Sequence, residues 1–204
     1  MASETTTEAE RGPERPNRIL DAGALRALAH PLRVQIYDIL SQYGPQTSSS
    51  LAALTGESSG ATSYHLRALA RQDLIREVTG RGTGRERWWE RPVGGVELSG
   101  PEAARTPAGR AAMQVVMTET LNRRHQQLMA WIATAMDTEP EEWRGASMIS
   151  TGTARLTPAQ LADLTSRIQT IIDETVDTYR DQQGEDVRPV TIRSDVFPLP
   201  PEGA

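Results

Sequence analysis

Residues 58–91 have the sequence SSGATSYHLRALARQDLIREVTGRGTGRERWWER, and this stretch decides the fold. Apolar residues recur at helical spacing in its first half, which predicts a helix that begins at Ser58 or Ser59. Residues 74–79 and 85–91 are typical of two strands, and the glycine-rich segment between them is typical of a turn. The stretch therefore predicts a helix followed directly by a β-hairpin.

Three shorter helices are predicted before this stretch. Asp21 is a good N-cap for the first, and Pro31 suits the first turn of the second. Thr47 or Ser48 caps the third, and Gly56 stands where a left-handed residue is needed to end it. The third helix and the one after it, joined by a turn that contains glycine, match the helix-turn-helix pattern.

The helix that follows this turn has two different faces. One face is predicted to pack inward and carries Thr62, His65, Leu66 and Leu69. The opposite face carries Gly60, Ser63, Tyr64, Arg67 and Arg71. A helix that enters the major groove of DNA needs close backbone approach, short polar groups for base edges, and arginines for bases or phosphates. The outer face offers all three, and an ordinary solvated helix face is the alternative.

The β-hairpin that follows the helix-turn-helix is a candidate wing. Because side chains alternate along a strand, Arg85, Arg87 and Arg91 are predicted to share one face with Trp89. Arg81 lies between glycines at the tip, where the backbone can approach a phosphate or an arginine can enter the minor groove. A helix-turn-helix with an arginine-bearing wing predicts DNA binding.

Charge is distributed unevenly along the chain. The net charge of the 204 residues is −5, but residues 58–91 contain seven Arg and four acidic residues, which is a net charge of +3. All 22 basic residues are Arg, so lysine-based chemistry is excluded. A short basic segment inside an acidic protein is compatible with a polyanionic partner. A chance fluctuation of surface charge is the alternative, and the helices and strands that carry these residues decide between the two.

The residue types also exclude several classes of function. The chain has no Cys, which excludes disulfide scaffolds, Cys-ligated metals and thiol catalysis. Its three His are far apart, so neither a metal nor a cofactor is predicted. No apolar run approaches the roughly 18 residues of a membrane span, and no signal sequence is recognisable, which predicts a cytoplasmic protein without a membrane partner. No nucleophile elbow or phosphate-binding loop is present, so an enzyme is not predicted.

Three stretches resemble the winged helix-turn-helix of ArsR-type bacterial transcription regulators. They are residues 25–40 (LRALAHPLRVQIYDIL), 62–75 (TSYHLRALARQDLI) and 80–89 (GRGTGRERWW). The resemblance covers about residues 20–92. It implies a homodimer whose recognition helix reads the major groove of a pseudo-palindromic operator. The paired cysteines of many metal-sensing members are missing near residues 47–49, so no soft-metal signal is carried over. A metal held by dispersed His and carboxylates at a dimer interface is the remaining alternative.

The resemblance also implies DNA contacts by position, from Ser58, Ser59, Ser63, Tyr64 and Arg67. His65 matches a histidine of the family that either touches phosphate or packs inside the domain. Together with the residues argued from the helix face and the wing, the predicted DNA-binding set is Ser58, Ser59, Gly60, Ser63, Tyr64, His65, Arg67, Arg71, Arg81, Arg85 and Arg87.

A long helix is predicted from Thr106–Pro107 to about Met136. Its stripe of near-heptad spacing consists of Met117, Leu121, Leu128, Ile132 and Ala135, with Arg124 as an interruption. Such a stripe is typical of a dimer contact, which the symmetry of operator binding also requires. Packing within its own domain is the alternative.

Residues 140–197 are predicted to form a strand, a helix and a strand. The first strand covers Ser147 to Arg155, the helix opens with a capping box at Thr157, and Val190 and Ile192 mark the last strand. The arrangement resembles the C-terminal region of some actinobacterial-type regulators. The methionines 113, 117, 129 and 136 and Trp131 are candidates to line an effector pocket, with plain core and dimer interface as the alternative.

The predicted fold class is mainly α (α+β): a winged helix-turn-helix domain followed by a helical dimerisation domain with a small strand-helix-strand unit. Residues 1–18 are predicted to be a disordered tail, 19–95 the DNA-binding domain, and 96–204 a dimerisation and candidate effector domain. The predicted function is a sequence-specific, homodimeric repressor that binds double-stranded DNA. A small-molecule effector of unknown identity is a candidate further partner, and a C-terminal domain that only dimerises is the alternative. The alternative function is a winged-helix module that binds another protein through its wing and Trp88–Trp89.

Overall fold

The structure is a computed structural model that describes residues 18–82, 86–94, 96–97 and 104–200. It divides into two compact units, 1–138 and 139–204. The helices and strands of the first unit are, in chain order, β1 (Arg18–Ile19), α1 (Ala22–Leu28), α2 (Pro31–Tyr43), β2 (Gln46–Thr47), α3 (Ser48–Thr55), α4 (Ser59–Ala70), β3 (Arg76–Glu77), β4 (Trp88–Glu90), β5 (Val96–Glu97) and α5 (Pro107–Thr138). The helices of the second unit are α6 (Glu141–Ala146) and α7 (Pro158–Tyr179). The protein is mainly helical with small sheets, as predicted.

The first helices begin where local side chains satisfy their free N–H groups. Asp21 Oδ1 accepts from the Ala24 N–H at 2.8 Å. Thr47 and Ser50 form a reciprocal capping box at the start of α3, which resolves the predicted choice of cap in favour of Thr47. Gly56 ends α3 in the left-handed conformation at φ 74°. The predicted boundaries of these helices are therefore confirmed.

One apolar core joins the first four helices to the wing and to α5. Its largest fully buried side chains are Leu20, Leu25, Ile36, Leu51, Leu66, Leu69, Leu74, Ile75 and Val116. Val116 and Ala112 belong to α5 and pack in the same core. Because α5 shares the core of the winged domain, the first compact unit includes α5 and ends at residue 138.

The predicted hairpin is present as an antiparallel pair of β3 and β4. Arg76 lies opposite Glu90, and Glu77 lies opposite Trp89. The Val78 N–H donates to the Trp88 carbonyl at 2.8 Å and continues the pairing toward the tip. On its other side β4 pairs with β2, so the sheet order is β2-β4-β3. The sheet anchors the wing beside the helix-turn-helix.

Arg18 does not belong to a disordered tail. It lies in β1, which pairs in parallel with β5. Its guanidinium donates to the carbonyls of Gln72, at 2.8 Å, and Asp73, at 2.7 Å. These carbonyls lie in the turn that follows α4, so Arg18 ties β1 to that turn. The rest of the predicted tail, residues 1–17, lies outside the described residues.

The predicted long helix is confirmed as α5. Its side toward α2 carries Arg123, whose Nη2 lies 3.3 Å from Asp38 Oδ2. One turn later, Gln127 donates to Gln42 Oε1 at 2.9 Å. These polar contacts continue the apolar packing of Val116 and fix α5 along α2. None of the helices in the described ranges is both long and apolar enough to span a bilayer.

The predicted strands of the second unit are wrong. Residues 139–200 contain α6 and α7 and no strand. Residues 147–155 and 190–192 have the alternating, β-branched pattern of strands. A strand forms only where another strand completes its hydrogen bonds, and this stretch of chain offers none. The predicted capping box at Thr157 is confirmed, and the helix it opens ends at Tyr179.

Arg188 ties the C-terminal segment to the start of the second unit. Its guanidinium makes two hydrogen bonds to the Glu139 carboxylate, at 2.7 and 3.1 Å. It also lies over the ring of Trp143, 4.9 Å from the centroid. Hydrogen bonding by Arg188 lowers the pKa of Glu139 below its ordinary value. The segment is therefore held by charge and stacking, without apolar burial.

Candidate nucleic-acid interface

The position of α4 is set by two serines as well as by its apolar face. Ser48, at the first position of α3, donates to the Ser59 carbonyl at 2.9 Å. Its oxygen also lies 2.8 Å from Ser63 Oγ. These bonds join the start of α3 to the start of α4. Sequence reasoning treated Ser48 only as a candidate cap and missed this bracing role.

The two predicted faces of α4 are present. Thr62, Leu66 and Leu69 are fully buried, and the Thr62 hydroxyl donates to the Ser58 carbonyl at 2.9 Å. The opposite face is exposed and carries Gly60, Tyr64, Arg67 and Arg71. Tyr64 is 57% exposed. The helix therefore presents an aromatic ring and two cations to solvent in one row.

Small residues surround the start of α4. Ser58 caps it by accepting from the Ala61 N–H at 3.2 Å, and Ser59 and Gly60 are exposed. A methyl group added at Gly60 would meet nothing nearer than Ser58 Oγ, at 4.0 Å. The protein's own packing therefore does not need a glycine at position 60. A partner that approaches the backbone closely would need one.

His65 is half-buried and makes contacts within the protein. Its Nδ1 accepts from Arg33 Nε at 3.2 Å, and its ring centroid lies 4.6 Å from that of His30. Burial lowers the pKa of His65 below 6.5, and the charges of His30 and Arg33 lower it further. The accepting Nδ1 places the proton of the neutral ring on Nε2. Of its two predicted roles, packing is the one with contacts in the structure.

The arginines of the wing have different partners. Arg81, at the tip, lies over the ring of Trp88, 3.9 Å from its centroid. Arg76 forms an ion pair with Glu90 at 2.7 Å, and Arg87 forms a longer one with Glu77 at 3.7 Å. Arg85 lies outside the described residues. Arg81 is thus held in place by an aromatic ring, whereas Arg76 and Arg87 are partly neutralised by carboxylates.

Trp89 and Arg91 face the protein. Trp89 is only 8% exposed and belongs to the core, and Arg91 lies over the ring of Tyr37, 5.6 Å from its centroid. Of the residues predicted to share this face, Trp89 and Arg91 therefore turn inward, whereas Arg87 is exposed and Arg85 lies outside the described residues. Trp88, one residue earlier, supplies the platform for Arg81, which sequence reasoning missed. The alternation of side chains along a strand could have predicted this role of Trp88, since a buried Trp89 places Trp88 on the opposite face of the strand.

The wing tip requires Gly82. This residue has φ +100°, a conformation that other residues rarely adopt. A Cβ there would lie 2.7 Å from the Glu86 carbonyl oxygen and 3.0 Å from the Trp88 ring. Gly82 therefore lets the backbone pass close to the edge of the Trp88 ring, on whose face Arg81 lies.

A comparison with protein families agrees with this geometry. Residues 28–78 match a family model described as a helix-turn-helix domain. This stretch runs from the last residue of α1 through α2, α3 and α4 to the residue after β3. Residues 28–78 form a helix-turn-helix domain. The match supports DNA as the partner of this domain, and it supports a regulator as the class of protein. No curated protein matches the chain.

Several predicted site residues meet on the surface of the helix-turn-helix domain and its wing. Those on α4 and at its N-cap that are exposed are Ser58, Ser59, Gly60, Tyr64, Arg67 and Arg71. Ser63 and His65 are half-buried and hydrogen-bonded to Ser48 and Arg33. Arg81 and Arg87 are exposed on the wing. The interface therefore has a polar, cationic helix face and one preorganised cation at the wing tip.

Proposed function

We propose that this protein is a sequence-specific transcriptional regulator of the ArsR type that represses by binding a pseudo-palindromic operator as a homodimer. The observation that carries the proposal is the exposed row of Gly60, Tyr64, Arg67 and Arg71 on α4. An acidic or apolar row at this place would favour a protein partner. The row has the residue types that bind base edges and phosphates.

In the proposed complex α4 lies in the major groove. Gly60 allows the backbone to approach closely, and Tyr64 and Arg67 reach base edges. Arg71, nearer the C-terminal end, binds the backbone phosphates. The N-terminus of α4 adds the positive end of a helix dipole near a phosphate. Arg81 binds the next phosphate ridge or the minor groove from the wing.

The proposed dimer uses the open side of α5. Met117, Leu121, Leu128 and Ile132 are exposed there at near-heptad spacing. They lie on a different side of the helix from Arg123, which faces α2. A second copy would cover this apolar stripe. Dimerisation would place two recognition helices about one turn of DNA apart, roughly 34 Å, and the bound dimer would block transcription sterically.

The methionines support the dimer better than an effector pocket. Met113 packs against the core of the first unit. Met117, Met129 and Met136 are exposed on α5. An effector that changed the spacing of the two recognition helices would lower operator affinity, and this remains part of the proposal without an assigned site. Cytoplasmic location follows from the proposed contact with DNA.

The test is selection of bound duplexes from a random library by the purified protein at near-physiological salt. We expect an enriched inverted repeat. Arg67→Ala and Tyr64→Ala should weaken binding to that repeat by about tenfold or more, on the 1–3 kcal/mol scale of a base contact, with little effect on random DNA. If no sequence is enriched and binding stays weak and salt-sensitive, the proposal fails and a protein partner becomes the better explanation.

A further inference from the structure

The second unit lacks a core of its own. None of residues 139–200 is buried. Its main element, α7, nevertheless carries a continuous apolar stripe, of which Ile171 is 64% and Tyr179 61% exposed. The stripe consists of Leu161, Leu164, Ile168, Ile171, Ile172, Val176 and Tyr179. A helix of this amphipathic kind is stable in water only when its apolar side is packed against another surface.

The stripe is symmetric about Thr170. Leu161 and Tyr179 lie nine residues before and after it, Leu164 and Val176 six, and Ile168 and Ile172 two. In an antiparallel pair of identical helices centred at the level of Thr170, each of these residues would lie beside its counterpart. Ile171 is the exception, because its counterpart is Gln169, whose amide bonds to Asp173. The apolar pattern therefore fits a second copy of itself in reverse direction.

The charges beside the stripe are nearly symmetric about the same point, to within one residue. Arg167 and Glu174 lie on one flank of the stripe, three residues before and four residues after Thr170. In an antiparallel pair each flank meets the same flank of the other helix. Arg167 of each copy would therefore lie beside Glu174 of the other, which gives two equivalent pairs. Arg167 is available, since its ion pair with Asp163 is long at 3.7 Å and its side chain is 74% exposed. A parallel pair would separate these charges by about 10 Å along the axis.

We propose that α7 pairs antiparallel with α7 of a second copy of this chain, centred at Thr170. The proposal rests on the homodimer of the proposed function and adds a second contact to that of α5. It explains why a unit without buried residues contains a well-capped amphipathic helix. The apolar stripe would form the seam, and two Arg167–Glu174 pairs between copies would select the antiparallel direction.

The experiment uses the full chain, which has no Cys and therefore accepts single thiols without background. The variants Arg167→Cys and Glu174→Cys are each made alone and also mixed, and then treated with a short bismaleimide. We expect cross-linked dimers in the mixture and several-fold fewer with either variant alone. Each chain carries one thiol, so every cross-link joins two chains. Thr170→Cys, on the side of α7 away from the stripe, is the matched control for collisions.

The outcomes separate this proposal from the proposed function. Equal cross-linking of Arg167→Cys with itself and with Glu174→Cys would overturn the antiparallel arrangement. A solution dimer without mixed cross-links would also overturn it, while the DNA-binding proposal stands. A charge exchange gives a second check. Arg167→Glu should weaken cross-linking at other engineered sites in α7 several-fold, and adding Glu174→Arg should restore it.

Discussion

Replacement of Arg81 by alanine should reduce the salt dependence of DNA binding, because this cation is held at the wing tip by Trp88 at 3.9 Å. Each phosphate contact contributes about 0.9 to the slope of log affinity against log salt concentration. The proposed dimer has two wings, so the expected loss of slope is about 1.8. Between about 50 and about 200 mM salt, wild-type affinity should therefore fall roughly 12-fold more than that of the variant.

The matched control is Arg76→Ala. It removes the same charge from the same hairpin, but Arg76 is already paired with Glu90 at 2.7 Å. Its slope should stay close to that of the wild type. The assay is fluorescence anisotropy on one labelled operator duplex and one random duplex over a salt series. Equal slopes for Arg81→Ala and Arg76→Ala, or an unchanged slope for Arg81→Ala, would refute the assignment of Arg81 to a DNA contact.

Three further substitutions separate stability from binding. Gly60→Ala should raise the free energy of unfolding by about 0.5 kcal/mol, since the added methyl meets no close atom. The same substitution should lower operator affinity about tenfold, because the methyl keeps the backbone away from DNA. Unchanged affinity would remove Gly60 from the interface. Arg18→Ala should lower the free energy of unfolding by about 1 kcal/mol through the lost bonds to the carbonyls after α4, seen as a lower urea midpoint at constant m. An unchanged midpoint would contradict a stabilising role for these bonds. The pKa of His65 in the folded protein lies below its ordinary 6.5, so the unfolded chain takes up a proton first as the pH falls. The free energy of unfolding should therefore decrease as the pH drops below about 6.5, and His65→Asn should flatten that decrease. An equal pH dependence in both proteins would contradict this role of His65.

The helix boundaries were predictable because their causes are local. Asp21, Thr47 and Thr157 bond to backbone groups within three residues, and Gly56 supplies its own left-handed turn. The buried and exposed faces of α4 were predictable for the same reason, since helical periodicity alone separates Leu66 from Arg67. The exposed half of the candidate site could thus be found from the sequence.

The strands of the second unit could not be predicted correctly. Residues 147–155 and 190–192 have a strand pattern, but a pattern is only a preference for extended backbone until a neighbour accepts its hydrogen bonds. The wing strands contain fewer residues that favour extended backbone, yet they do form. They form because β2 and β3 both pair with β4. Strand formation depends on residues far along the chain, and local patterns do not contain that information.

The sequence by itself determined where the helices of the helix-turn-helix begin and end, which face of α4 is polar, and that the basic residues concentrate in residues 58–91. The tertiary structure decided which of those charges are available. Register across β3 and β4 pairs Arg76 with Glu90, the turn at Gly82 sets Arg81 on Trp88, and packing of β4 turns Arg91 toward Tyr37. The physical reason is range: caps and periodicity act over a few residues, whereas the partner of an arginine depends on which distant segment folds beside it.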